Sequence, residues 1–198
     1  IVPDDYPGES NKPRALNYAF ENTTSEVVGV IDAENIVQDS LFNRVAGSIE
    51  NAGLDYLQGK VDMVNEDDGW LNLLFRAEYG YWYQLLVPHF HRIGFPIPLS
   101  GTTCFFRRES LNSASDLRKQ RDGTPWTDEE TYYFTNSNLD GLIPWDPTNV
   151  TEDFELGLLL WAKDYKFGLI DSTTYEESPR SLENWIKQRT RWQKGKLY

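Results

Sequence analysis

The sequence contains very few side chains with a sulfur atom or an imidazole ring. Its 198 residues include one cysteine, one methionine and two histidines. The single cysteine, Cys104, excludes an intrachain disulfide framework and fits a reducing compartment. His89 and His91 have no other soft ligand nearby in the sequence, so a structural or surface position is favoured over a metal site.

Basic residues are also scarce. The chain has 19 lysines and arginines against 31 aspartates and glutamates, which gives a formal net charge of −12. Nucleic-acid binding needs a dense face of Lys and Arg, so we expect no nucleic-acid partner. An acidic site can still meet a phosphate group when a metal ion lies between them.

Long apolar runs are missing. None approaches the roughly 18–20 residues of a membrane-spanning helix, and no signal peptide is visible. The chain starts at Ile1 without a methionine, so we expect it to be part of a longer protein. Its length suits one domain on the usual prior of roughly 100–200 residues.

Apolar patterns along the chain predict strands alternating with helices, which is typical of an α/β fold. The run Glu26–Asp32 predicts a strand buried on both faces of a parallel sheet. Further strands are predicted over Leu54–Val64, Ile97–Arg107 and Tyr165–Ile170. Helices are predicted over Lys12–Phe20, Gln38–Asn51, Asp68–Leu86, Thr151–Lys163 and Pro179–Lys194. The polar stretch 117–141 predicts an inserted loop.

Two carboxylates, Asp32 and Glu34, follow the first predicted strand. Open α/β sheets bind ligands beyond the carboxyl ends of their strands. Carboxylates two positions apart can both address one hard cation such as Mg²⁺ or Mn²⁺. Taken alone, the triplet Asp32-Ala33-Glu34 is more simply explained as a strand end followed by solvated acids.

A second acidic pair, Glu152 and Asp153, opens the helix predicted after Thr151. Thr151 is a suitable N-cap, and acids in the first turn complement the helix macrodipole. The functional alternative is that one of the two carboxylates is a general base held at a helix N-terminus. The apolar run that follows predicts a deeply buried helix.

Two further patterns have both a structural and a functional interpretation. Gln188, Arg191 and Trp192 share one face of the last predicted helix. They form either an ordinary amphipathic surface or a site that binds a phosphate group and the flat ring of a base or sugar. The polar break Ser100–Thr103 inside a predicted strand is either a β-bulge or part of a sugar-binding surface.

Five segments in this order resemble the processive family 2 glycosyltransferases, and most closely the cellulose-synthase-like bacterial polysaccharide synthases. The resemblance runs from about Lys12 to Gly195. Its segments are KPRALN, DAE, LSGTTCFFRR, WDPTNVTEDFELG and QRTRW.

The resemblance implies a GT-A-type (Rossmann-like) mixed sheet flanked by helices. It also implies inverting transfer of a hexose from a nucleotide sugar, most often a UDP-sugar, to a growing polysaccharide. In this arrangement Asp153, in the pair with Glu152, is the general base. Asp32 and Glu34 hold Mg²⁺ or Mn²⁺, with Glu34 standing where the family more often has Asp.

The remaining site residues are also implied by the resemblance. The donor is held by Lys12, Gln188, Arg191 and Trp192. The acceptor is flanked by Ser100, Gly101, Thr102, Thr103 and Arg107.

In this family the start of the nucleotide-binding half precedes the KPRALN segment. We therefore expect residues 1–198 to be one truncated catalytic domain that lacks the N-terminal part of that half and transfers no sugar by itself. Its expected location is the cytoplasmic face of a bacterial inner membrane, reached through segments outside this chain. The alternative is a non-catalytic glycan- or nucleotide-binding domain of the same fold.

Overall fold

A mixed β-sheet lies at the centre of the protein, for which a computed structural model describes residues 1–4, 6, 9–64, 69–119 and 143–196. Its strands are β1 (Val27–Val30), β2 (Ile36–Val37), β3 (Tyr56–Met63), β4 (Cys104–Arg107) and β5 (Phe167–Glu176). Their spatial order is β1-β4-β3-β5-β2. The β3–β5 pair is parallel and the other neighbouring pairs are antiparallel.

Helices surround this sheet. They are α1 (Lys12–Glu21), α2 (Leu41–Ala52), α3 (Gly69–Tyr81), α4 (Val87–Arg92), α5 (Arg108–Lys119), α6 (Glu152–Ala162) and α7 (Leu182–Lys196), and a π-helical turn, Trp82–Leu86, joins α3 to α4. Local signals set several ends. The Asn11 side chain caps α1 by accepting a hydrogen bond from the Arg14 amide, and α2 ends at Gly53 with φ +62°.

The two faces of the sheet are covered by different helices. Alternate side chains of a strand point to opposite faces, so Tyr56 packs with residues of α1, α5 and α6. Its neighbour Leu57 packs with residues of α2. A third cluster joins the end of β3 to Phe75 of α3 and Tyr83 of the π-helical turn. The predicted mixed sheet flanked by helices is confirmed.

The pairing of β1 differs from the prediction. The strand is four residues long and pairs with the antiparallel strand β4. In the described residues no strand pairs with its other edge, and Gly29 is exposed. Two-sided burial in a parallel sheet was therefore wrong. A short apolar run shows that a strand is favourable but does not determine its neighbours.

Other predicted elements differ from the structure in their length, their capping or their burial. In the predicted strand Ile97–Arg107, only Cys104–Arg107 is a strand, and the polar helix α5 that follows had no sequence-based prediction. The Thr151 side chain does not cap α6 but donates to Asn149 Oδ1 at 3.2 Å. Helix α6 is less buried than predicted, since Trp161 is 43% exposed. Of the predicted inserted loop 117–141, the part from residue 120 lies outside the described residues.

The N-terminal helix is tied to a segment far along the chain. Asn17 Nδ2 donates to the Trp145 carbonyl at 2.8 Å, and the Trp145 amide donates to Asn17 Oδ1 at 3.1 Å. Phe20 packs edge-on against the Trp145 ring. These contacts place the segment before α6 beside α1. In the part of the chain that the structure describes, no helix is long and apolar enough to cross a membrane.

Candidate functional site

A pocket of about 970 Å³ opens at the end of the sheet where the carboxyl ends of three strands lie. Strands β1, β3 and β5 run in the same direction, so their carboxyl ends meet there, together with the segment that leads into β4. The residues of the sequence motifs that line the pocket are Lys12, Asp32, Glu34, Ser100, Gly101, Thr102, Glu152, Asp153, Gln188, Arg191 and Trp192. Groups that are distant in sequence therefore converge on one cleft.

Lys12 joins two walls of the pocket. Its ammonium group lies 2.5 Å from Asp32 Oδ1 and donates to the Gly101 carbonyl at 2.7 Å. Lys12 comes from the first turn of α1 and Asp32 follows β1. The pair is about one-third exposed, so both groups remain accessible to a ligand in the pocket.

Asp153 lies against the loop before β4. An ideal Cβ on Gly101 would be 3.1 Å from Asp153 Oδ2, and Gly101 has φ +78°. A side chain at position 101 would therefore crowd the carboxylate and strain the backbone. Burial raises the pKa of Asp153, although hydrogen bonds from the backbone and the charges of Lys12 and Arg191 partly offset this.

Glu152 is more deeply buried than its neighbour, with 6% of its surface exposed. Burial raises its pKa to about 7, and repulsion from Asp153 adds to this effect. The pocket therefore contains two adjacent carboxyl groups that both hold their protons more tightly than they would in water. Groups with raised pKa values in a cleft are typical of sites that move protons.

The polar segment before β4 forms the floor of the pocket. The Asp32 amide donates to Thr102 Oγ1 at 3.1 Å, and this hydroxyl in turn donates to Asn35 Oδ1. Thr103 is fully buried and adopts a positive φ of 55°. Ser100, Gly101 and Thr102 line the cavity, whereas Thr103 does not.

Arg107 lies away from the pocket, at the other end of β4. Its guanidinium group donates to the backbone carbonyls of Leu54 and Ile49 at 2.9 and 2.5 Å. It also lies within 4.0 Å of carboxylates of Glu26 and Asp55. The structure therefore does not bring Arg107 together with the other predicted acceptor residues.

Helix α7 supplies Gln188, Arg191 and Trp192 to one wall of the pocket. Arg189, which sequence analysis did not predict as a site residue, lines this wall too. Its guanidinium carbon lies 4.6 Å from the centre of the Trp192 ring, and its Nη2 donates to Glu78 Oε2 at 2.6 Å. Arg189 thus contacts the Trp192 ring within α7 and links α7 to Glu78 of α3.

Three carboxyl groups, those of Asp32, Glu34 and Glu176, lie near the end of β1. Burial raises the pKa of Glu176, and the negative charges of Asp32 and Glu34 raise it further. In the described ranges, no group of three or more His, Cys, Asp and Glu side chains has the arrangement of a metal site. The carboxyl groups of Asp32, Glu34 and Glu176 all line the cavity.

Sequence analysis also did not single out Gln58 and Glu78. Neither belongs to a charged or glycine-rich motif that could have drawn attention to it. Their importance depends on contacts between strands and helices that are distant in the chain.

Comparison with known proteins finds a matching family model and a curated relative. Residues 27–197 match the sequence model of Glycosyl transferase family group 2. "Probable glycosyltransferase YdaM" of Bacillus subtilis (strain 168) is 23% identical over 189 residues, which cover 94% of this chain and 38% of YdaM.

Among solved structures, mannosyl-3-phosphoglycerate synthase from Rubrobacter xylanophilus superposes with a TM-score of 0.46 at 17% identity. The match covers 94% of this chain and 50% of that chain. The chain thus spans half or less of the length of both relatives.

Proposed function

This chain belongs to Glycosyl transferase family group 2, and on that premise we propose that its pocket transfers a hexose from a nucleotide sugar to a glycan. One observation carries the proposal. Asp32, Asp153 and Arg191 come from three distant parts of the chain and line the same cavity. An unrelated α/β interaction domain gives no reason for these three groups to converge.

In the proposed reaction Asp153 is the general base. Its carboxylate takes the proton from the acceptor hydroxyl while that oxygen forms a bond to the anomeric carbon. The bond between the anomeric carbon and the diphosphate oxygen breaks, and the nucleoside diphosphate leaves with the electron pair. A base with a raised pKa accepts a proton effectively near neutral pH.

The donor end of the pocket is proposed to lie between Lys12, Arg191, Gln188 and Trp192. A guanidinium group and an ammonium group stabilise the charge that develops on a departing diphosphate. Trp192 offers a flat face for a sugar ring, and its contact with Arg189 fixes the orientation of that face.

Asp32 and Glu34 fit the requirements of Mg²⁺ or Mn²⁺. Mg²⁺ is usually held by one or two carboxylates together with substrate phosphates rather than by a complete protein cage. Asp32 is about one-third exposed and Glu34 is exposed, so both can reach a ligand in the cavity. A bound divalent cation would neutralise charge on the leaving diphosphate.

The acceptor is proposed to lie over Ser100, Gly101 and Thr102, next to Asp153. Thr103 and Arg107 then support this segment or its strand from outside the pocket. The resemblance to cellulose-synthase-like enzymes leads us to propose a UDP-sugar donor, a growing polysaccharide as acceptor and a position at the cytoplasmic face of a bacterial membrane.

The test replaces the proposed base in the native gene product that contains this chain. Asp153→Asn keeps the size of the side chain but removes its ability to accept a proton. We expect transfer from a UDP-hexose to fall at least ~10³-fold while the Kd for UDP changes less than about threefold. Release of UDP and elongation of the glycan are measured together, and calorimetry gives the Kd.

Asp164→Asn is the matched control. Asp164 is exposed and has φ +61°, a conformation that Asn adopts readily. We expect this variant to keep the wild-type rate. Unchanged transfer in Asp153→Asn would reject the base assignment, and a wild-type protein that binds UDP without transferring sugar would favour the non-catalytic binding domain.

A further inference from the structure

A buried glutamine lies directly under the proposed acceptor segment. Gln58 is in the middle of the sheet, where it pairs with Cys104 of β4 and Leu169 of β5, and it is 1% exposed. An amide in such a place is costly unless all its polar atoms find partners. The partners of Gln58 therefore indicate why it is there.

Both ends of the Gln58 amide are used. Nε2 donates to the carbonyls of Gly59 and Thr102 at 2.7 and 3.1 Å. Oε1 accepts from the Ser100 amide and from the Cys104 thiol, each at 3.1 Å. The register of β3 with β4 ends at Cys104, beyond which the Gly59 amide donates to the Thr103 carbonyl at 2.8 Å. The Gln58 side chain extends this hydrogen bonding to Thr102 and Ser100.

The segment that Gln58 holds has an unfavourable backbone. Thr103 has φ +55°, a conformation that β-branched residues rarely adopt and that costs free energy. Gly59 allows the close approach, because a Cβ there would lie 2.4 Å from Thr103 Cγ2. Such a conformation persists only when surrounding contacts enforce it.

The same segment touches the proposed base and the proposed donor site. Gly101 packs against the Asp153 carboxylate, and its carbonyl accepts from Lys12. Ser100 and Tyr83 both line the pocket. A displacement of the segment would therefore move the surface on which an acceptor hydroxyl approaches Asp153.

We infer that Gln58 is a positioning residue, which holds Ser100–Thr103 in the strained conformation that aligns the acceptor with Asp153. The inference rests on the proposed function for its catalytic meaning. Its structural content, that Gln58 keeps this segment closed, can be tested without any transfer assay.

Cys104 provides the structural test because it is the only cysteine in the chain and bonds to Gln58. Its side chain is 2% exposed, so a thiol reagent reacts only after the start of β4 and the segment before it open. In Gln58→Met we expect the rate of labelling by DTNB under native conditions to rise at least ~10-fold, because the apolar side chain makes none of these bonds.

Gln38→Met is the matched control. Gln38 also stabilises the sheet, since its Oε1 accepts from Ser172 Oγ and the Thr173 amide at 3.2 and 3.0 Å, but it does not line the pocket. We expect its labelling rate to stay within about twofold of wild type. The two rates are compared under conditions in which both variants have the same free energy of unfolding. Equal labelling rates under these conditions would overturn the inference.

Gln58→Glu is used if Gln58→Met does not fold. It keeps an oxygen that accepts from Ser100 and Cys104 but loses the donor to Gly59 and Thr102. We expect this variant to be labelled faster than wild type, because the carbonyls of Gly59 and Thr102 lose their donor, and a rate equal to wild type would count against the positioning role.

The kinetic test uses the native gene product. We expect kcat/KM for the acceptor to fall at least ~10-fold in Gln58→Met while the Kd for UDP changes less than about threefold. An equal loss of UDP binding would overturn the inference. If wild type transfers no sugar, the proposed function fails, but the labelling experiment still decides whether Gln58 holds the segment.

Discussion

Glu152 and Asp153 are neighbours in the sequence but have different surroundings. Glu152 is buried at the start of α6, whereas Asp153 is half-buried and lies against Gly101. Both carboxyl groups line the pocket, and Asp153, which lies beside the proposed acceptor segment, is the proposed base. The contribution of Glu152 is better examined through the stability of the protein.

The raised pKa of Glu152 predicts a specific pH dependence. Its folded-state pKa is about 7, against an ordinary value of 4.5. Below pH 4.5 the carboxyl is neutral in both states, and as pH rises to 7 the unfolded state loses its proton first, so stability decreases. Above pH 7 the carboxyl is charged in the folded state too, and this buried charge lowers the free energy of unfolding by its full amount.

Glu152→Gln cannot ionise and should remove that cost. We expect the variant to exceed wild type in free energy of unfolding by about 2–3 kcal/mol at pH 8 and by close to nothing at pH 4.5. Urea unfolding at several pH values measures this. The exposed Glu50→Gln serves as control, and a stability difference that does not vary with pH would contradict the prediction.

Most of the site residues that the family resemblance implied line the pocket. Local patterns located Asp32 at a strand end and Asp153 and Arg191 on helices, but only the resemblance assigned the three residues to one site. Arg107 belongs to the same motif as Ser100, but it lies at the opposite end of β4 from the pocket, where it donates to backbone carbonyls. Gln58 could not be found, since its importance arises from contacts across the sheet.

At the level of helices and strands, local signals were sufficient where they were strong. Asn11 and Pro13 mark the start of α1, and Gly53 marks the end of α2. The pairing of β1 with β4 could not be derived, because strand pairing is decided by residues far apart in the chain. Helix α5 carries few apolar residues, and the helical spacing of Leu111, Ala114 and Leu117 is the weak signal that could have revealed it.

The packing of α7 against the start of α6 gives a prediction about Gly195. A Cβ at Gly195 would lie 2.5 Å from Thr151 Oγ1 and 2.6 Å from its Cγ2. Because Thr151 immediately precedes Glu152, Gly195→Ala must displace α7 or the first turn of α6. We expect a loss of about 1–3 kcal/mol in the free energy of unfolding, together with slower transfer.

Gly47→Ala is the control for this substitution. Gly47 lies inside α2, where a Cβ would meet only Asn51 Nδ2 at 3.7 Å. Alanine favours a helix over glycine by about 0.5–1 kcal/mol, so this variant should be more stable than wild type. Thermal unfolding compares the two, and a Gly195→Ala protein as stable as wild type would refute the packing argument.

For the whole molecule, the net charge of −12 opposes the binding of a negatively charged nucleotide. The described pocket contains Lys12, Arg189 and Arg191 as cationic groups, but Lys12 and Arg189 are already paired with carboxylates. A diphosphate thus meets an acidic surface with limited free positive charge. A divalent cation at Asp32 and Glu34 would change this balance.

We therefore expect UDP binding to depend on a divalent cation. The Kd for UDP should be at least ~10-fold weaker in EDTA than with Mn²⁺, because the cation bridges carboxylates and phosphates. Calorimetry measures both values. Asp32→Asn should reduce this dependence and the exposed Asp39→Asn should not, whereas equal affinity with and without the cation would contradict the proposed metal role.

The pair formed by Asn17 and Trp145 has a consequence for synthesis of the protein on the ribosome. It joins positions 128 residues apart, and the pocket also needs α7 near residue 190. Contacts between such distant positions form slowly. During translation the chain therefore exposes its sheet and aromatic residues before the pocket can close, which makes this interval the stage at which a chaperone is most useful.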